Sequence, residues 1–276
     1  MSSSLSQIRQ AIGRLMGAGD RGFFTGTPSA TFSTTGFTCA ELALYETSYF
    51  VDWWLRFYSG THKDISREVT TFTTSTGAIV FSPATTGAID ATDLFELWRD
   101  WTPEEVNAAI NLAISMVENE WLIDKSDVTL VVVADTYEYT VPSGFYSISQ
   151  IYQEESTSGK YSKSSGLIDP EKGWSLFTDS SNIRKLWFDP EVVSLTTGRK
   201  LRIEGQAVPG QLTLDASTTT VPLPYLVQQA KALLHQSKID GRSSASQQHE
   251  VKFKLAQEMA DRERRSLQVI SMGQRV

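Results

Sequence analysis

Between residues 22 and 98 the chain consists of short runs rich in Thr, Phe, Tyr and Val, punctuated by Gly and Pro, as expected for strands and turns. Residues 49–58 (Tyr-Phe-Val-Asp-Trp-Trp-Leu-Arg-Phe-Tyr) predict a strand, with Ser59, Gly60 and Thr61 as its turn. Residues 65–73 predict a second, in which Val69, Thr71 and Thr73 alternate with Glu68, Thr70 and Phe72. Residues 78–81 and 93–98 predict two more. Short strands at regular spacing predict a small antiparallel barrel or sandwich.

At Thr102 the hydrophobic period changes. Thr102 is a good N-cap, Pro103 suits the first helical position, and Glu105 completes a capping box. Val106, Ala109, Ile110, Ala113, Ile114, Val117 and Trp121 then recur at helical spacing and predict a helix over 102–123. A second β region follows, with strands expected at 128–133, 136–141, 147–153, 174–177, 185–188 and 200–206. The Ser-, Gly- and Lys-rich residues 154–166 predict an exposed loop. Helical spacing returns at 225–239, stopped by Gly241, and at 250–269 after a short polar link. The shortness of that link predicts an antiparallel helical hairpin. Val251, Leu255, Met259 and Ala260 form a narrow apolar stripe on the last helix, where Asp261 and Arg265 have pairing distance. Near the N-terminus, Ile8, Ile12, Leu15 and Met16 predict a short amphipathic helix.

Together these elements predict an α+β chain, a helical bundle hub carrying two antiparallel β modules. The expected segments are an N-terminal amphipathic stretch (1–21), a small β-barrel or sandwich (22–98), the helical hub (99–126 with 222–270), a second β insertion between helices (127–221) and a C-terminal tail (271–276). With 276 residues there is enough chain to bury a real core.

Charge narrows the function classes. The formal net charge is −7, but residues 223–276 hold nine Lys or Arg against five acids, which leaves the remainder at −11. A basic end on an acidic body suits polar docking better than global nucleic-acid binding. Cys39 is the single cysteine, so no disulfide framework or thiolate metal cluster is expected, and it reads as a small buried residue. No apolar run reaches the roughly 18–20 residues that span a bilayer, and residues 1–15 lack the apolar core of a secretory signal.

Catalytic signatures do not assemble. Glu104-Glu105 opens a helix, where acids complement the macrodipole, and Glu154-Glu155 falls in the expected loop. There is no Gly-x-Ser-x-Gly elbow, Walker loop or His-Glu-x-x-His. His62, His235 and His249 are scattered. The latter two flank the last helix turn and could approach each other, but surface positions are the favoured reading. Adjacent Trp53 and Trp54 should point to opposite sheet faces, one into the core and one toward another module or a partner. Arg262, Arg264 and Arg265 suit a solvated helix end or a protein contact better than DNA phosphates. Neither a catalytic residue, a metal ligand nor a cofactor is expected.

The sequence resembles the head-to-tail connectors of tailed bacteriophages, also called adaptors or head-completion neck proteins. The resemblance is carried by the order of Tyr49-Phe-Val-Asp-Trp-Trp-Leu-Arg-Phe-Tyr-Ser-Gly-Thr, Ile65-Ser-Arg-Glu-Val-Thr-Thr-Phe, Ser75-Thr-Gly-Ala-Ile-Val-Phe-Ser-Pro-Ala and Asp93-Leu-Phe-Glu-Leu-Trp. It continues through Thr102-Pro-Glu-Glu-Val-Asn-Ala-Ala-Ile-Asn to Pro224-Tyr-Leu-Val-Gln-Gln-Ala-Lys-Ala-Leu-Leu and the charged helix after it. It covers most of the chain as architecture and loose pattern, without a short invariant motif.

The resemblance implies a structural virion protein of the neck, assembled in the bacterial cytoplasm. It implies a homo-oligomeric ring, usually of twelve copies, beneath the portal protein. Such a ring extends the channel for double-stranded DNA and docks a downstream tail or nozzle protein, with no membrane involved. Portal or neighbour contacts are then expected at Leu255, Met259, Arg262, Arg264, Arg265 and Leu267, and a β-module interface at Trp53 and Trp54. The alternatives are a tail-tube, stopper or tail-completion component, or a β-sandwich receptor- or glycan-binding tail module.

Overall fold

The computed structural model describes residues 2–16, 22–155, 159–163, 166–239 and 244–273, without the side chains of 244–245 and 267–273. The chain divides into two compact units, Met1–Val117 with Gly210–Val276, and Glu118–Pro209. The second is thus inserted into the first.

In the larger unit the order is β1 (Ser3–Ser4), α1 (Leu5–Met16), β2 (Phe23–Gly26), β3 (Gly36–Thr38), a 3₁₀ turn (Ala40–Leu44), β4 (Trp54–Phe57), β5 (Ile65–Thr73), β6 (Ala78–Ser82), β7 (Phe95–Trp98) and α2 (Pro103–Ser115). The inserted unit supplies β8 (Ile123–Val131), β9 (Glu138–Thr140), β10 (Ser147–Gln153), β11 (Leu167–Ile168), β12 (Trp174–Thr178), β13 (Arg184–Phe188) and β14 (Lys200–Ala207). The chain then returns through β15 (Thr218–Thr219) to α3 (Leu223–Ser237) and α4 (Ser244–Gly273).

These elements correct the expected fold class. Among the described residues the protein is mostly β-sheet, four open sheets with four helices, where a helical bundle hub carrying a small barrel or sandwich and a second β insertion was expected. The main sheet is six-stranded, in the order β2-β7-β4-β5-β6-β3, with every pair antiparallel. Its end strands β2 and β3 have only four and three residues and do not pair with each other, so the sheet does not close. Along β7 all four residues are buried, because both faces of the strand are covered. Phe95 and Leu97 join Leu55, Phe57, Phe37, Phe50 and Phe72 in an aromatic core. Glu96 and Trp98 alternate to the other face, where Glu96 meets Arg9 of α1 and Trp98 stacks edge-on with Phe23.

Two local differences explain why periodicity misled. Of residues 49–58 only Trp54–Phe57 is strand; Ser48 and Asp52 sit at φ +64, which breaks the extended run into turns. Phe50 and Trp53 are aromatic because they are buried there, not because they are in a strand. In β5 a bulge between Val69 and Thr71 puts Val69 and Phe72 inside, three residues apart, and defeats the period of two.

The capping box at Thr102 is present in both directions: Thr102 Oγ1 accepts from Glu105 N at 3.1 Å, and Glu105 Oε2 accepts from Thr102 N at 2.7 Å. The helix ends at Ser115, short of the expected 123, and the following turns lead out of the larger unit. The strands of the second β insertion form two sheets, β11-β10-β14-β8 and β12-β13-β9. Ile151, Leu201 and Ile203 of the first share one core with Tyr139, Leu186 and Phe188 of the second. Gly241, part of the 154–166 loop and the tail from 274 lie outside the described residues.

Candidate functional site

Among the described residues four helices occupy the larger unit, and α3 and α4 pack as the antiparallel hairpin expected from their short link. Gln229 bonds Gln257 at 3.3 Å, while near the turn His235 meets His249. The buried line of α4 runs through Ser246, Ala256 and Ala260, with small side chains that permit close approach to α3. The predicted stripe therefore splits. Ala260 is fully buried, whereas Val251, Leu255 and Met259 are 68, 52 and 41% exposed. Their spacing of four places them in one row, on a helix side away from α3.

The remaining predicted contact residues continue this helix. Arg262 is exposed and reaches Glu258 at 4.0 Å; Arg265 is exposed, and Arg264 is half-buried. Asp261 accepts from Gln257 at 3.2 Å. The side chain of Leu267 lies outside the described residues. A second apolar surface, not anticipated from the sequence, lies where α2 and α3 meet. Its groove of about 390 Å³ is lined by Ala108, Ala109, Leu112, Leu233 and Leu234, and Leu112 and Met116 are exposed beside it. In the sheet, Trp53 is buried in the aromatic core, and Trp54 is half-buried in register with Glu68 and Trp98.

Beneath these surfaces lies a buried ionic cluster. Arg9 of α1 pairs with Glu96 of β7 and donates to Asp215 at 2.7 Å and to Asn107 of α2 at 2.9 Å. Arg56 of β4 reaches Asp215 at 3.1 Å, Asp64 at 3.3 Å and Glu104 at 3.3 Å. The two guanidiniums balance the two fully enclosed carboxylates. Burial pushes Asp215 up, but the hydrogen bonds and charges of Arg9 and Arg56 outweigh it and hold its carboxyl below the ordinary range. Glu96 is raised, because complete burial exceeds what Arg9 returns. Asn111 of α2 adds a two-way clamp on Leu212, at 3.0 and 2.8 Å. The segment returning from the insertion is thereby tied to α1, β4 and α2.

His235 is buried at 3% exposure, against the expected surface position, and its Nδ1 lies 3.0 Å from that of half-buried His249. Such a bond needs one donor and one acceptor ring. Burial first, then His249, Lys252 and Lys231, press the His235 pKa down to about 4. The folded value lies below the ordinary 6.5, so the stabilisation from a neutral His235 is complete above that pH and drains as pH falls toward 4. The urea midpoint is expected to decline across this window, and His235→Leu to flatten the decline. An unchanged slope in that variant would remove His235 as the cause.

His62 donates its backbone N–H to Asp93 Oδ1 at 2.9 Å and places Nδ1 2.8 Å from Oδ2, a buried pair that fastens the loop before β7. Among the described residues no group of three His, Cys, Asp or Glu could hold a metal ion. No described helix is long and apolar enough to cross a membrane.

The sequence of residues 61–273 matches the family described as SU10 adaptor protein. The chain belongs to this family. Most of the chain is covered, including β5 to β7 and all of α2, α3 and α4, while α1 and the Trp53-Trp54 pair precede the match. No curated protein matches it. The protein is thus a phage structural adaptor, a virion component that works through other head and tail proteins. In this adaptor the exposed row of α4 and the α2–α3 groove are apolar surfaces that the described chain leaves open.

Proposed function

We propose that this adaptor closes into a ring beneath the portal, extends the DNA channel and offers the tail its docking surface. The observation that carries the reading is the exposed row Val251, Leu255 and Met259 on a 30-residue helix of a family adaptor. Soluble helices normally bury such a row. Heterologous ring closure needs two unlike complementary patches on each copy; the α4 row and the α2–α3 groove have that character. Arg262, Arg264 and Arg265, with Leu267, would extend the contact toward the portal. Of the tryptophan pair, half-buried Trp54 would be the member to meet a neighbour. The acidic body would repel passing DNA and keep it sliding.

The test is to incubate the full chain with DNA-filled, tailless capsids of its phage and count copies at the portal vertex by imaging. About twelve copies are expected. Leu255→Glu/Met259→Glu should remove them while leaving the thermal midpoint of the free chain unchanged, since both side chains are exposed. Seating of this variant at wild-type occupancy would exclude the α4 row, and binding to isolated tails alone would place the protein on the tail side of the joint.

A further inference from the structure

The α3–α4 hairpin carries a cluster that neither the aromatic core nor the adaptor role uses. Lys231 and His235 of α3, Lys238 at its C-cap, and His249 and Lys252 of α4 line a cleft of about 400 Å³. The rest of its wall is Leu15 and Met16 at the end of α1, with Asp100 and Trp101 before α2. Trp101 is fixed there: its indole N–H donates to Leu234 O at 3.3 Å and both imidazoles pack edge-on against it. Lys238 lies over the indole at 5.9 Å.

Three ammonium groups thus face one cavity against a single carboxylate. Among the described residues none of the three lysines is in an ion pair, in contrast to Lys254 on the outer side of α4, which bonds Glu250 at 2.6 Å. Among the described residues the cluster is compensated only by Asp100: burial and Lys252 depress Lys231, and His249 is lowered by burial and Lys252 with Asp100 opposing. Concentrating like charge in a chain of net charge −7 stores repulsion that a bound anion would relieve.

We propose that this cleft is a phosphate-binding pocket in which Lys231, Lys238 and Lys252 grip a phosphate dianion and the His235–His249 pair forms its inner wall. With both imidazoles neutral, the lining carries three positive charges and one negative, so a dianion balances it where a carboxylate would not. The two imidazole nitrogens have a separation that a metal ion could bridge, but three ammonium groups disfavour a cation there and no third ligand is at hand. The ligand chemistry is phosphate with two negative charges in all, supplied either by one free phosphate or by two neighbouring monoanionic phosphodiesters of a DNA backbone. The proposal does not depend on ring assembly.

Titration calorimetry of the full chain with pyrophosphate, and separately with a short duplex DNA, tests it. Saturable binding of at least one is expected, weakened tenfold or more by Lys231→Gln/Lys252→Gln and unchanged by Lys254→Gln. Removing lysines that repel each other should leave the double variant folded, which its circular dichroism checks. Bound phosphate should also shift the ring resonances of His235 and His249 but not of His62. Pyrophosphate binding with this pattern assigns free phosphate, and DNA binding alone with this pattern assigns the phosphodiester. Failure of both to bind, or an equal loss in Lys254→Gln, overturns the pocket.

Discussion

Asp215→Ala is expected to lower the unfolding free energy of the larger unit by about 3–5 kcal/mol. The side chain is the shared acceptor of Arg9 and Arg56, both almost wholly buried. Removing it leaves two guanidiniums facing three other carboxylates of poorer position: Glu96, which is fully buried and only partly stabilised as an anion, and Asp64 and Glu104 nearer solvent. Against a typical domain stability of about 5–15 kcal/mol, this is a large fraction. Urea unfolding followed by tryptophan fluorescence would measure it, and Asp215→Asn, which keeps an acceptor, should lose less. A loss below about 1 kcal/mol, the worth of a surface ion pair, would show that water replaces the carboxylate. Because the Asp215 pKa is depressed, its contribution is present above the unfolded carboxylate range near pH 4 and drains as pH falls through the folded value. Acid should therefore mimic the substitution.

Gly77→Ala should also be severe, at about 3 kcal/mol, by adding two independent terms. Gly77 turns β5 into β6 at φ +63, a conformation costing L-residues about 1–2 kcal/mol. A Cβ would also stand 2.1 Å from the carbonyl oxygen of Cys39. Cys39 cannot retreat freely, since its N–H donates to Gly77 O at 3.0 Å, so overpacking adds about 1–3 kcal/mol. Gly198 isolates the first term: φ is +81 but a Cβ meets nothing within 4 Å. Gly198→Ala should thus lose only the backbone part. Thermal unfolding of both variants decides the matter, and equal losses would mean that the backbone at Cys39 yields.

Legibility of the sequence followed the locality of the interaction. Ile65–Thr73 and Ser147–Gln153 have the predicted ends, and the Thr102 capping box is closed as expected, because strand composition and capping act over a few residues. The antiparallel hairpin followed from the length of its link. The sheet order was not visible, since the pairing of β2 with β7 and β3 with β6 is decided by partners far along the chain. Arg9 left a trace: it falls on the apolar face of α1 between Ile8 and Ile12, a position that a charge occupies only with buried partners. Those partners, at 96 and 215, could not be named from it. His235 similarly turns inward beside Leu234, where a surface position was expected. Helical phase alone was too coarse to place either ring, and the approach of Lys231, Lys238 and Lys252 depends on the hairpin register.

The nested arrangement of the two units has a consequence for biosynthesis. Glu118–Pro209 is continuous, so every strand of the inserted unit has been synthesised before Gly210–Val276 is made. The larger unit must wait for that segment, because Asp215 neutralises Arg9 and Arg56, and Ser3 and Ser4 pair with Thr219 and Thr218. The part encoded in the middle can therefore mature first, while β1 and α1 stay incomplete until residues 215–219 have been made. Such an order withholds the finished α3–α4 surface until after the inserted unit has formed, so nascent chains that have reached only the insertion lack a completed face through which to join one another.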